Sequence, residues 1–347
     1  MGTAINHVFV TGAGGYIGTI LTPMLLEAGY KVRAVDRFFF GRELLADHPN
    51  LEVIKDDARH ITVEHLQGID AVIDLVGISN DTSGELFQAT TMEINFRARA
   101  RIAQLGKEAG VQRYILPSSC SNYGYLDENQ IAKEDTPLNP LTTYSRANSE
   151  AEKAILPLAD ETFCPVVLRQ GTVFGYSPRL RFDLAINGMT YGAWKNKKLP
   201  LMRDGKQWRP MIHVRDTARA QMMMLEIDAD KIRGQVFNAG SAENVYQIGP
   251  LGERIAELVP GDVEVEWYGD IDHRSYRVSF EKIKSIGFDA KYIVDDGVVE
   301  IIEALESGQT DRTANTITLE WYKELVKWQK IIRSVEMYGG IVDIDRG

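Results

Sequence analysis

Apolar residues in the first 170 positions follow two alternating patterns. Val8-Phe9-Val10 is a short run of β-branched and aromatic residues that ends in Thr11-Gly12. Ile17, Ile20, Leu21, Met24, Leu25 and Ala28 then recur at the spacing of one helix face, and Gly29 stops the pattern, which predicts a helix over 18–28. Further strands are predicted at Lys31–Asp36, Val53–Ile54, Ala71–Val76, Arg113–Leu116 and Val166–Arg169. Helices are predicted at Ile94–Ala109, closed by Gly110, and at Ser145–Leu156. The strands are apolar throughout rather than alternating, as in strands buried on both faces. Strands interleaved with helices predict an α/β fold with a doubly wound parallel sheet.

After Phe174-Gly175 the pattern changes. Residues 176–210 are rich in Arg, Lys, Pro, Gly and aromatics. Residues 211–240 read as a return to the first domain, through Met211–Val214, a helix up to Met224, and Val236–Asn238. Shorter elements follow, with a helical tail from Leu319 to about Met337. The expected organisation is a Rossmann domain of 1–175 plus about 211–240. A smaller, discontinuous α/β substrate domain of about 176–210 and 241–347 completes it. No internal repeat or low-complexity tract is visible.

Composition narrows the function. At 347 residues the chain is long enough for a large core. Its 39 basic and 49 acidic residues give 39 − 49 = −10, which disfavours nonspecific nucleic-acid binding and anionic membranes. Two cysteines, Cys120 and Cys164, exclude a disulfide framework and a cysteine-built zinc site. The six histidines include no i, i+4 pair, so no metal site is expected. The N-terminus has no cationic leader pattern, and no run approaches the ~20 apolar residues of a membrane span. These features read as a cytoplasmic protein without membrane or nucleic-acid partners.

The candidate chemistry lies at predicted carboxyl ends of strands, where doubly wound sheets bind ligands. Gly12, Gly15 and Gly18 lie in TGAGGYIG, between a strand and a helix. Glycines there let the backbone approach a pyrophosphate, and the helix N-terminus offers it N–H groups. Asp36 follows 18 residues after Gly18, at the end of the next strand. Its carboxylate would accept from a ribose 2′-hydroxyl and repel a 2′-phosphate, which favours NAD over NADP. Adjacent Arg37 keeps that preference from being absolute.

The glycine spacing is GxxGxxG, and here the sequence resembles the extended short-chain dehydrogenase/reductase superfamily, in particular its NAD-dependent nucleotide-sugar epimerases and dehydratases. Asp57-Ala58 matches the segment beside adenine. Leu75-Val76-Gly77 matches the loop beside the cofactor phosphates and ribose, and Asn95 a structural asparagine. Ser119 in SSCSNYG matches the catalytic Ser or Thr, and Tyr144 in NPLTTYSRANSEAE the catalytic tyrosine. The match continues through RQGTVFGYSPR and RPMIHVRDTARA to HRSYRV. The resemblance implies NAD contacts at Gly12, Gly15, Tyr16, Ile17, Gly18, Asp36, Arg37, Asp57, Ala58, Leu75, Val76, Gly77, Asn95, Tyr144 and Asn148. It implies sugar-nucleotide contacts at Ser119, Cys120, Ser121, Asn187, Arg209 and Arg274, and a homodimer formed through the two long helices.

In such enzymes the tyrosine takes a proton from a sugar hydroxyl while the carbon beneath it gives up hydride. Ser119 would steady the developing carbonyl. A free tyrosine has a pKa near ~10, and the family lowers it with a lysine four residues later. Here that position is Asn148, with Glu152 holding the register. Three readings stay open: a less activated Tyr144, another base, or cofactor binding without turnover. Asn148→Lys is expected to leave activity intact or raise it. The Asp-Glu pair of the 4,6-dehydratases is replaced by Cys120-Ser121, which disfavours that dehydration. Cys120 reads either as an acid/base with a lowered pKa or as a small packed thiol. Arg179 and Arg181 either meet phosphate or face solvent. Trp194, Trp208 and Tyr276 either stack on a base or pack in the core, and His213 reads as structural. The resemblance implies an NAD-dependent nucleotide-sugar epimerase. The alternatives are a ketoreductase or dehydrogenase with dissociable NAD(P)(H), and a non-catalytic dinucleotide-binding protein.

Overall fold

The computed structural model describes residues 4–127, 130–270 and 275–336. Arg274 and Met337, both named above, lie outside the described residues. The main sheet has seven parallel strands. Five are β1 (His7–Thr11), β2 (Lys31–Asp36), β3 (Leu51–Lys55), β4 (Ala71–Asp74) and β5 (Arg113–Ser119). The sixth and seventh are Cys164–Gln170 and Gln235–Ala239. The spatial order runs from Gln235–Ala239 through Cys164–Gln170, β5, β4, β1 and β2 to β3. The chain leaves β1 for β2 on one side and later returns to β4 on the other. That reversal opens a crevice at the carboxyl ends of β1 and β4. Successive side chains point to opposite faces, so Val8 and Val10 enter one core and Phe9 the other, all fully buried.

Two helical boundaries differ from the sequence expectation, and both matter for the site. The segment expected as one helix over Ile94–Ala109 begins at Gln88–Met92, widens into a π-helical turn at Glu93–Ala98, and resumes as Arg99–Ala109. Asn95 within this turn and Arg99 directly after it both enter the interior, at 0% and 3% exposure. The helix carrying Tyr144 spans Thr143–Ile155, two residues earlier than expected. Thr142 caps it, its Oγ1 accepting from Ser145 N at 3.2 Å while Ser145 Oγ accepts from Thr142 N at 3.0 Å. Tyr144 therefore sits in the first turn.

The expected return is also rearranged. Trp208–His213 stands outside the main sheet, pairing with Thr172–Phe174 and Val245–Gln247. The return is made instead by the helix Val214–Glu226 and by Gln235–Ala239, the outer strand of the main sheet. Residues 176–210 hold a helix, Ala185–Asn196, and a strand, Lys198–Met202, paired with Glu264–Tyr268. They form a separate core with Phe174, Met211, Leu251 and Val298. The C-terminal helix Thr318–Val335 buries only Thr318. It is anchored by the Trp321 indole, which donates to Phe39 O at 2.6 Å, and by Tyr322 packed near Phe39, Phe40 and Phe87. Among the described residues, no helix is long and apolar enough to cross a membrane.

Candidate active site

A cleft of about 1180 Å³ runs along the carboxyl ends of β1, β2, β4 and β5. One drug-sized ligand takes ~300–1,000 Å³, so two ligands end to end suit this cleft better than one. Gly12 and Gly18 shape its floor. Gly12 has φ +66°, and a Cβ there would fall 2.8 Å from the Leu75 carbonyl carbon. A Cβ on Gly18 would fall 2.5 Å from the carbonyl oxygens of Gly12 and Ala13. Neither contact can be relieved without moving backbone. Gly15, Tyr16, Ile17 and Gly18 line the cleft where the helix Gly18–Glu27 begins, and the first N–H groups of a helix have no partner within it.

Asp36 also lines the cleft. Its Oδ2 accepts from Gly14 N at 3.0 Å and its Oδ1 from Phe38 N at 2.6 Å. Burial pushes its carboxyl up, while the Phe38 and Gly14 N–H groups pull it back. Two such bonds leave a carboxylate free lone pairs for ribose hydroxyls. Arg37 lines the cleft beside Asp36, donating to Asp57 at 3.1 Å and lying over the Phe39 ring at 4.3 Å. Hydrogen bonds from Arg59, helped by Arg37, hold Asp57 down at about 2. Asp57, Ala58, Leu75, Val76 and Gly77 all reach the cleft. Asn95 does not line it. Its Oδ1 accepts from Ile78 N at 2.8 Å and its Nδ2 donates to Ile78 O at 2.9 Å, so it pins the loop after β4 from behind.

The candidate catalytic corner forms where β5 ends. Ser119 and Tyr144 both line the cleft. Ser119 Oγ accepts from Ser121 N at 3.1 Å, which fixes the turn Cys120–Tyr123. Burial pushes the Tyr144 phenol above its ordinary range. The Asn148 amide, the Arg99 charge and the Ser119 hydroxyl pull it back, while Asp81 raises it. Asn148 is 1% exposed, and its Oδ1 accepts from Arg99 Nη1 at 3.1 Å. Its Nδ2 is buried and makes no full hydrogen bond within the protein.

The substrate end departs from several expectations. Cys120 does not line the cleft. It is 1% exposed, donates to Arg169 O at 3.2 Å, and burial pushes its thiol far up, so it is a packed thiol and no acid or base. Asn187 is also turned away from the cleft. It is fully buried, with Oδ1 accepting from Gly175 N and Nδ2 donating to Tyr16 Oη and Arg181 O, so nothing on it is left to face a sugar. Ser121 does line the cleft, and its hydroxyl has no partner. Arg209 lines it as well, donating to Trp208 O at 2.9 Å and lying 5.1 Å from the centre of the Tyr276 ring, which shares the lining. Trp194 and Trp208 do not. His213 is wholly buried, caps Val214–Glu226 and meets Glu300 at 3.1 Å.

Arg179 and Arg181 are buried from bulk solvent and both line the cleft. Arg181 is paired with Asp183 at 2.7 Å. Arg179 is 4% exposed, lies 3.7 Å from the Phe40 ring centre and donates to Thr318 Oγ1 at 3.0 Å. Burial, with Arg181 nearby, lowers its pKa to about 9. Thr172, Phe39, Phe40 and Tyr322 are lining residues that sequence reasoning missed. Three come from segments whose only signal was aromaticity after a strand or in a tail.

The model of the NAD dependent epimerase/dehydratase family matches residues 8–240. The chain belongs to this family. It is 26% identical over 265 residues to the uncharacterized UDP-glucose epimerase YtcB of Bacillus subtilis (strain 168), covering 72% of this chain and 82% of that one. It is 28% identical over 234 residues to UDP-glucuronic acid decarboxylase 4 of Arabidopsis thaliana, covering 64% of this chain and 51% of that one. Among solved structures, MoeE5 in complex with UDP-glucuronic acid and NAD superposes with a TM-score of 0.77 at 27% identity, over 87% of this chain and 100% of that one.

The cofactor of this epimerase/dehydratase family, NAD, is compatible with the residues present. The glycine loop leaves a cradle that any Cβ at Gly12 or Gly18 would fill. Asp36 keeps acceptor capacity at the end of β2. Asn148, expected beside the cofactor, is buried and does not line the cleft, so the fit rests on the glycine loop and Asp36.

Proposed function

We propose that this family member is an NAD-dependent epimerase of a nucleotide diphosphate sugar. Gly12, Gly15, Tyr16, Ile17 and Gly18 would hold the diphosphate of NAD, Asp36 its ribose, and Asp57-Ala58 its adenine. Leu75-Val76-Gly77 would flank its middle. NAD, when bound, supplies the acceptor and then the donor of the sugar's hydride. Tyr144 takes the proton from the sugar 4-hydroxyl, and Ser119 donates to the same oxygen as it becomes a carbonyl. The 4-keto sugar then turns in the cleft and is reduced on its other face, with Tyr144 returning the proton. Ser121 and Arg209 would meet the sugar and its diphosphate, an arginine suiting a phosphate by its forked donors. UDP sugars are the first candidates, because YtcB and MoeE5 are named for them. The cofactor part would be 1–175 with 211–240, and the substrate part 176–210 with 241–347. A cytoplasmic homodimer through Arg99–Ala109 and Thr143–Ile155 completes the proposal.

One observation carries the choice of an epimerase over a one-way reductase. The C-terminal helix adds Tyr322, Leu325, Val326 and Gln329 to the cleft lining, with Trp321 tied to the loop after β2. An extra wall at the cofactor end would help retain NAD, which suits a reaction that returns it to its starting state within the site. Denaturing the purified protein and identifying the released nucleotide tests this. About one NAD or NADH per chain is expected. A protein that releases none, and needs added NAD(P)H, would be a reductase or dehydrogenase.

A further inference from the structure

Asn148 stands where the resembling enzymes carry a lysine, and the charge reappears one layer behind it. Arg99 comes from the neighbouring helix, directly after the π-helical turn. It is the middle of three arginines two residues apart, so a helical period that buries Arg99 leaves Arg97 and Arg101 outside. Arg97 pairs with Glu93 at 3.0 Å, and Arg101 donates to Ala58 O and Arg59 O at the rim. Arg99 alone enters the interior. Its Nη2 donates to the carbonyls of Asp74 at 2.7 Å and Pro117 at 2.8 Å, and its Nη1 to Asn148 Oδ1 at 3.1 Å.

Its acid partner is weakly engaged. Arg99 Nε lies 3.8 Å from the Asp74 carboxylate and has no hydrogen bond. Asp74 is fully buried and already accepts from Thr11 Oγ1 at 2.5 Å and from the Tyr114 hydroxyl. Asp74 compensates the guanidinium only in part, across 3.8 Å and without a hydrogen bond, and Arg99 still acts as a positive charge on Tyr144.

An arginine has donors and no acceptor. The amide that meets it must present oxygen, which turns Asn148 Nδ2 to the other side, and the Asn148 amide acts on the Tyr144 phenol. That Nδ2 is the buried donor left without a full hydrogen bond. We propose that Arg99 and Asn148 together replace the missing lysine. Arg99 fixes the amide and supplies the positive charge, and Asn148 offers an N–H to the Tyr144 oxygen as it loses its proton. Arg99 touches neither sugar nor cofactor in this arrangement; it is a positioning residue. The inference rests on Tyr144 as the base. The other charges around Tyr144 are Asp81, whose Oδ1 accepts from Thr142 Oγ1 at 2.7 Å, and the Glu85–Arg146 pair at 4.0 Å, both at the start of the tyrosine helix. Asp81 opposes Arg99 and Asn148.

The test is the alkaline titration of Tyr144 in the NAD-loaded protein, read by tyrosinate absorbance with Tyr144→Phe as the blank. Arg99→Met is expected to raise the Tyr144 midpoint by about one pH unit or more, because a nearby positive charge is lost. Asn148→Asp is expected to raise it too, since the carboxylate still accepts from Arg99 but offers no donor. Arg99→Met/Asn148→Lys is expected to bring the midpoint back toward the wild-type value. If Arg99→Met fails to fold because Asp74 is left unpaired, Asp74→Asn/Arg99→Met is compared with Asp74→Asn, and the midpoint is expected to rise between the two by about one pH unit or more. A midpoint that stays put in a folded variant lacking Arg99 would overturn the proposal. The titration needs no sugar, so it stands or falls apart from the epimerase reading, which turnover decides.

Discussion

Two buried arginines grip the helix that carries Tyr144, and they are satisfied to different degrees. Arg169 meets Glu152 through Nε and Nη2, at 2.7 Å for the shortest contact, and its Nη1 donates to Tyr123 Oη and Glu134 O. Glu152 also accepts from Ser118 Oγ and from Asn122 Nδ2 at 2.8 Å. Every guanidinium nitrogen of Arg169 finds an acceptor, and Asn122 Oδ1 is the one buried atom here without a partner; the network fixes the tyrosine helix to β5 and to the strand Cys164–Gln170. Arg99 has its acid at 3.8 Å, one nitrogen without a hydrogen bond and another committed to an amide. A closed network holds a helix. An open one leaves charge for the site beside it.

The largest effect falls on the group both arginines serve. Tyr144→Phe is expected to lower turnover by ~10²–10⁴-fold or more while retaining NAD, since only the proton acceptor is removed. Turnover within a few-fold of wild type would assign the base elsewhere. Next comes the closed network. Glu152→Ala leaves Arg169 buried and unpaired, and is expected to cost about 3–5 kcal/mol in denaturant unfolding. A loss below about 1 kcal/mol would place Arg169–Glu152 among the weak, surface-like pairs.

Asn148→Lys sharpens the contrast from the other side. The sequence alone predicts that restoring the family's lysine is neutral or helpful. With Arg99 behind it, the new ammonium faces a guanidinium in the interior. A loss of about 3 kcal/mol in stability is expected, together with reduced turnover, and Arg99→Met in the same chain is expected to restore both. A stable and faster Asn148→Lys enzyme would mean that Arg99 does not press on this position. The smallest effect is expected at Cys120→Ala. Its thiol packs beneath the site, so turnover is expected to stay within about twofold and stability to fall by about 1 kcal/mol. A large loss of turnover with folding intact would return Cys120 to the chemistry.

The fold was legible because its signals are local. Apolar strands, a glycine loop whose Cβ positions are occupied by backbone, and Asp36 at the end of β2 each follow from a few neighbouring residues. The catalytic corner was half legible. Ser119 and Tyr144 sit in short motifs, and both reach the cleft. Arg99 was not readable, because an arginine in RARAR looks like a solvated face, and nothing in the composition of Glu93–Ala98 announces a π-helical turn. Asn187 and Cys120 looked like ligand contacts from their motifs. Their side chains point into the core, since Gly175, Tyr16 and Arg169 claim them across 12, 171 and 49 residues of sequence. The aromatic patch of Phe39, Phe40 and Tyr322 depends on docking a tail onto a loop nearly the whole chain away.

The most direct test of the account is to incubate the purified protein, with no added cofactor, with individual nucleotide diphosphate sugars, UDP-hexoses and UDP-hexuronic acids first, and to resolve the products by stereochemistry. The account predicts interconversion of two sugars that differ at C4, with no net formation of NADH. Product that appears only with stoichiometric added NAD(P)⁺ or NAD(P)H, at a changed oxidation state, would contradict it.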